Sequence, residues 1–324
     1  MKVSLGVYPN QEPTDIVASA KLAEEIGFDT LWMLDSHLLM REVYTMLGAI
    51  GASTERLKLG TAVTNPLTRH MTVTASAFVT LSELTAGRAK LGISVGDSVL
   101  RAMNLKPAKM AALAEAIDKC RELMQGGEAS FGKDVVAQLK QGTDHRIPIY
   151  VAATGPKMLA LAGNTGDGVI LMNGVAPDLI QAAIVLLQEG EREAGRPLGS
   201  TQKVVWAACH PNPEAVKYNV ARAILRKIPG RISGLTREVA AKVKEAYNYE
   251  EHGDSEAKFA KLIPDELVER FAFSGPPEFI GSQLAALKAI GVDEVVLAIP
   301  FASKITPRDE VMRQLAPVLA RLQQ

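Results

Sequence analysis

Four short polar tracts hold the residues best suited to chemistry. In GDSVL, Asp97 directly follows Gly96. A carboxylate on so flexible a turn can accept a hydrogen bond from a ring N–H, or donate a proton where desolvation raises its pKa. Its plainer role is to cap the helical sequence that follows. In ATGPKMLALAG an apolar run leads to Thr154–Gly155, and Pro156 then opens a helix whose first-turn N–H groups lack intrahelical partners. Such an end favours an anion, phosphate above all, with the charge of Lys157 beside it. N-capping by Thr154 is the alternative that needs no ligand. DSHLLMRE supplies Asp35 and His37, although a lone histidine more often packs or hydrogen-bonds than catalyses. The fourth tract, TNPLTRH from Thr64 to His70, is more polar than a turn requires.

Other chemistries find little support. There is no His-x-x-x-His, no Cys-x-x-Cys and no cluster of carboxylates to suggest a metal, and no Gly-x-Ser-x-Gly nucleophile elbow. His70 reads as the start of a helix and His210 as part of a turn before proline. Cys120 and Cys209 lie far apart in apolar contexts and read as buried free thiols. With 36 basic and 36 acidic residues the formal charge is zero, which argues against nucleic acid or a membrane surface as partner. The run RKIPGR, from Arg226 to Arg231, reads as a solvated loop edge. MKVSLGVYPNQEP breaks at Pro9 and does not read as a signal peptide, so the cytoplasm is the default expectation.

The elements that must position these tracts alternate along the chain. Val3–Tyr8, Thr30–Leu34, Leu57–Thr64, Ala89–Val95, Ile147–Ala152, Gly168–Met172, Lys203–Cys209 and Glu294–Ile299 read as eight strands, nearly continuous in apolar residues, as strands covered on both faces should be. Amphipathic sequence separates them. In TDIVASAKLAEEIG, Thr14 is the expected cap, Ile16, Ala20 and Ala23 the inward stripe, and Gly27 the stop. The last helix opens on TPRD, with Thr306 as cap, Pro307 at the first position and Asp309 as the returning carboxylate. Eight strand–helix units in 324 residues fit a single (β/α)8 TIM barrel spanning residues 1–324. A doubly wound sheet would want a glycine fingerprint after the first strand, and GVYPNQEP offers none. Residues 229–275 exceed one unit and read as a helical insertion after strand seven. In a barrel the active site lies at the C-terminal strand ends, and there the polar tracts collect: YPNQEP, DSHLLMRE, TNPLTRH, GDSVL, ATGPKM, NGVAP and HPNP.

With LGTAVTNPLTRH, LSELTAGRAKLGISVGD and ATGPKMLALAGNTGDGVIL in order, the chain resembles the luciferase-like flavin or deazaflavin oxidoreductases, and within them the F420-dependent methylenetetrahydromethanopterin reductase branch. The likeness runs from GVYPNQEP to about Asn173 and resumes at SGPPEFIGSQLAALKAIGVDEVVLA. It implies a (β/α)8 barrel holding F420 or reduced FMN at the strand ends. It also implies a non-prolyl cis peptide joining Ala62 to Val63, with Thr64 and Asn65 beside the ring. By the same carry-over, Asp97 lies near ring or substrate. Thr154, Gly155, Lys157 and Met158 surround the phosphate, the last three through backbone N–H groups, and Asn173 contacts the cofactor chain. In two places the chain departs from the branch. The methanopterin reductases carry a glutamate in the first strand where Gly6 stands, and the DSHLLMRE loop is unlike theirs. The implied activity is therefore hydride transfer between F420 and a small organic substrate, with Asp97 the first choice for acid or base and His37 the second. An FMN-dependent monooxygenase and a non-catalytic flavin-binding protein are the alternatives, and a homo-oligomer is expected.

Overall fold

In the computed structural model, residues 1–226, 228–229, 234–247, 257–300 and 306–323 are described. The eight expected strands form, each within a few residues of the reading above: β1 (Lys2–Val7), β2 (Thr30–Met33), β3 (Lys58–Thr61), β4 (Ala89–Ile93), β5 (Ile149–Ala153), β6 (Gly168–Leu171), β7 (Gln202–His210) and β8 (Glu294–Ala298). Each pairs in parallel with the next, and β8 returns to β1 with Gly6 opposite Ala298, closing an eight-stranded barrel. The connecting helices cover the outer face, and their apolar stripes pack on the outward residues of the strands.

Alternation along the strands sends every second residue inward. On β1 these are Ser4, Gly6 and then Tyr8, which runs from the floor of the barrel to its mouth. The floor is polar. Glu294 accepts hydrogen bonds from Ser4 Oγ at 2.6 Å and Trp32 Nε1 at 2.7 Å, and pairs with Lys90 Nζ at 3.0 Å. Lys90 also donates to Thr30 Oγ1 at 2.8 Å. Burial pushes the Lys90 ammonium below its ordinary range even with Glu294 and Asp29 pulling the other way. Above this layer, Trp32 and Tyr150 meet edge to face, and Ile170, Val204, Trp206 and Val296 fill the interior.

Four local expectations are corrected. The first helix spans Pro13–Ile26, so Glu12 precedes it and Thr14 lies inside, because proline's fixed φ makes Pro13 the better first residue. Asp309 does not fold back to a cap; its carboxylate accepts from Ser19 Oγ at 2.6 Å and ties the last helix to the first. An antiparallel hairpin, Glu128–Ser130 with Val136–Gln138, lies before β5 and was not foreseen, since its strands are too short to show a period. Arg226 is not at a solvated edge, as the next section describes; the rest of the RKIPGR run lies partly outside the described residues. The described part of 229–275 is mostly helical, with Gly234–Ala246, Lys258–Leu262 and Asp265–Phe271, and ends in a short strand, Phe273–Ser274, that pairs in parallel with Cys209 and His210 of β7. Val243, Phe259 and Leu267 pack there with Tyr218 and Ala221, forming a second apolar cluster that rests on Ala208 at the end of β7. Cys120 and Cys209 are buried free thiols, and burial raises Cys120 to about 12.

Candidate active site

A cavity of 290 Å³ opens at the C-terminal ends of the strands, at the lower edge of the roughly 300–1,000 Å³ typical of small-molecule sites. Every strand from β1 to β7 contributes to its wall, directly or through the loop after it. Tyr8, Leu34, Ala62, Ser94, Thr154, Met172 and Trp206 mark the circuit.

The wall from β3 departs most from regular structure. The peptide between Ala62 and Val63 is cis. Around it the ladder to β4 is carried by side chain and backbone together. Thr61 Oγ1 accepts from the Gly92 N–H at 3.1 Å and donates to the Gly92 carbonyl at 2.7 Å. Thr64 N–H then donates to the same carbonyl at 2.9 Å. Ala62, Val63 and Asn65 line the cavity, whereas Thr64 turns away into a buried cluster with the Tyr44 hydroxyl at 3.2 Å. The Asn65 carbonyl is committed to the backbone N–H groups of Leu67 and Thr68, both at 3.0 Å, which makes an Asx turn of TNPLT.

Arg69 does more than open a helix. Its guanidinium grips Asp35 at 2.6 and 3.3 Å and Glu42 at 2.7 Å, and lies 4.3 Å from the centre of the Tyr44 ring. Asp35 thus faces the cavity already paired, and the loops after β2 and β3 are locked together. His37, two residues on, does not line the cavity, and its buried Nδ1 has no partner. His70 is the cap of the helix Met71–Leu84, accepting from Thr72 N–H. His210 ends β7, where Nδ1 accepts from the Asn212 N–H at 2.9 Å; burial pushes its pKa below the ordinary range.

Gly96, with φ of 86°, turns the chain so that Asp97 reaches the mouth. Asp97 lines the cavity, yet its side chain is 55% exposed and pairs with Arg101 at 2.7 Å and Arg222 at 3.8 Å. Beyond β5, the helix Pro156–Thr165 starts with Gly155 at its N-cap and no side chain capping it. Thr154 therefore lines the cavity rather than closing the helix, and its carbonyl accepts from Asn173 Nδ2 at 2.9 Å. Gly155, exposed Lys157 and partly buried Met158 stand just outside the cavity wall. Asn173, between the lining residues Met172 and Gly174, does not itself line the cavity; it is fully buried and its Oδ1 has no partner. A bare helix N-terminus, an adjacent lysine and an orphaned buried acceptor suit a phosphorylated, hydroxyl-bearing ligand such as a flavin or deazaflavin.

Several lining residues carried no sequence signal. Tyr8, Asn219, Arg222 and Arg226 form one side of the mouth, the last three on or just after the helix Lys217–Ile224. Asn219 Nδ2 donates to the Tyr8 hydroxyl at 3.1 Å. Beneath the cavity, Trp206 packs against Gly6, where a Cβ would stand 2.8 Å from Trp206 Cη2 and 2.9 Å from the Ala298 Cα. The Trp206 indole lies across the space that a side chain at position 6 would enter.

A parallel eight-stranded barrel with a cavity at its strand ends defines the class, and residues 2–294 match the family described as luciferase-like monooxygenase. The chain belongs to this luciferase-like family of flavin- or deazaflavin-binding oxidoreductases. The 5,10-methylenetetrahydromethanopterin reductase of Archaeoglobus fulgidus is 33% identical over 93% of this chain and 94% of its own length. That of Methanolobus tindarius is 30% identical over 93% and 95%. Among solved structures, the coenzyme F420-dependent tetrahydromethanopterin reductase of Methanopyrus kandleri superposes with a TM-score of 0.80 at 26% identity, covering 100% of both chains.

Proposed function

We propose that this protein moves a hydride between the deazaflavin F420 and a small organic substrate held in the mouth of the barrel. The observation that carries the proposal is the match to reductase relatives over nine-tenths of the chain, and Ala62 and Val63 in the cavity wall support it. When bound, such a cofactor supplies a ring carbon that gives or accepts the hydride. The chain's own residues do the rest. Ala62 and Val63 offer a flat apolar wall for a ring system, and the N-terminus of Pro156–Thr165 with Lys157 receives the phosphate. The orphaned Asn173 Oδ1, behind the wall at Met172 and Gly174, would be the acceptor for a hydroxyl of the cofactor chain. Asp97 borders the cavity and His37 does not, so the proton-transfer role is assigned to Asp97.

The test is to titrate the purified protein with F420 and with oxidised FMN separately. F420 is expected to bind, and Asp97→Ala to lower turnover far more than cofactor affinity. Tight FMN binding with no affinity for F420 refutes the deazaflavin assignment in favour of a flavin monooxygenase, which the family description also accommodates. Binding of neither refutes the reading of the site, and binding without turnover leaves a carrier rather than an enzyme. Equal losses of turnover and affinity in Asp97→Ala make it a binding residue.

A further inference from the structure

The mouth of the cavity is unevenly charged. Arg222 and Arg226 stand one helical turn apart and both line it, opposite Asp97. Among the described residues, Asp97 is the acidic group acting on Arg226, and Asp97 is already engaged by Arg101 and Arg222. Asp35, across the cavity, is held by Arg69. Tyr8 adds a directed donor. Its oxygen accepts from Asn219, which leaves the phenolic proton for whatever occupies the cavity. Two guanidinium groups crowded together in a partly desolvated wall are unfavourable on their own, and Arg226 is pushed below its ordinary range by burial and then by Arg222. An arrangement of this kind becomes favourable when an anion enters it.

We infer that Tyr8, Arg222 and Arg226 form a subsite for an oxyanion, a carboxylate or phosphate, carried by the substrate. This rests on the cavity being the hydride-transfer site proposed above. Planar guanidinium forks match either anion bidentately, and the Tyr8 hydroxyl completes a third contact from the β1 side. The position is distinct from the N-terminus of Pro156–Thr165, which lies after β5, so a cofactor phosphate and a substrate anion need not compete.

The experiment is calorimetric titration with inorganic phosphate, performed on the protein alone and on the protein saturated with whichever of F420 or FMN it binds. Saturable phosphate binding is expected to persist with cofactor present. In the cofactor-saturated protein, where the helix N-terminus is occupied, Arg226→Gln should weaken it about tenfold or more, Arg226→Lys should recover part of the loss, and Lys157→Ala should leave the remaining phosphate binding unchanged. Tyr8→Phe gives a smaller loss, and circular dichroism checks that each variant is folded. Phosphate binding that survives Arg226→Gln but falls in Lys157→Ala overturns the inference. The cofactor is the second source of phosphate. If Arg226→Gln weakens FMN but not riboflavin, or F420 but not its phosphate-free core, the arginines serve the cofactor and the substrate assignment is wrong. Failure of both cofactors to bind refutes the proposed function, while the titration on the protein alone still reads the anion subsite.

Discussion

Gly6→Ala is a single-carbon perturbation whose cost follows from the packing of the barrel interior. The added Cβ would stand 2.8 Å from Trp206 Cη2, 2.9 Å from the Ala298 Cα and 3.0 Å from the Ala298 Cβ. Carbon atoms prefer about 3.5–4.0 Å, so each contact is short by roughly half an ångström or more. Ala298 is the register partner of Gly6 across the β1–β8 ladder, and backbone hydrogen bonds hold that spacing. The indole is therefore the part that yields, and the cavity is the space open to it. Overpacking of this kind costs about 1–3 kcal/mol. Replacing glycine also restricts the unfolded chain, which offsets about 0.4–1 kcal/mol. A net destabilisation of about 1–2 kcal/mol is expected, read as a lower urea midpoint with the slope unchanged. Cofactor affinity should fall alongside it, because Trp206 lines the cavity. Trp206→Phe lacks the colliding atom, so in the double variant the two costs should be less than additive. An unchanged midpoint and affinity in Gly6→Ala, or strict additivity in the double variant, would refute the claim that the indole is wedged against the first strand.

Two further outcomes test the framework around the site. Glu294→Gln leaves the buried Lys90 ammonium with only the more distant Asp29, 3.8 Å away, and should cost about 3 kcal/mol in urea unfolding, whereas Glu294→Leu with Lys90→Met should recover most of that loss; equal stability of the two variants would contradict it. Glu191 sets an acid limit. Burial alone would raise its pKa, but the N–H groups of Thr201 and Gly199 outweigh burial and hold it below the ordinary 4.5. A carboxylate depressed in the folded state stabilises the protein above pH 4.5, and that contribution is lost as pH falls through the folded value. Glu191→Gln should therefore flatten the dependence of stability on pH below 4.5, measured by urea unfolding across an acid series.

All eight strands were legible because each is an unbroken apolar run bounded by glycine, proline or aspartate, and because helix–strand alternation admits few topologies. The position of the site followed from the one-sided collection of polar tracts, and Ala62, Val63, Asn65, Asp97 and Thr154 do border the cavity. Thr64 does not border the cavity; its hydroxyl lies 3.2 Å from that of Tyr44, a partner on a helix that nothing local to the strand advertises. Arg226 was misread because its neighbours are loop-like, while its burial depends on the segment between β7 and β8 folding over the barrel. The Lys90–Glu294 pair joins residues 204 positions apart, and nothing local to either strand advertises the other. Glycine was the one overlooked local signal: Gly6 in an otherwise apolar strand marks a close approach, here that of Trp206.

The filled floor has a kinetic corollary. Beneath Trp206 the barrel interior is occupied by Trp32, Tyr150, Glu294 and Lys90, all buried, so among the described residues the cavity is closed toward the N-terminal end. Among the described residues the cavity opens on the side bordered by Tyr8, Asp97 and the arginines. Under the proposed function, a blind-ended chamber of this kind predicts last in, first out: the deeper ligand binds first, and turnover follows a compulsory rather than a random order.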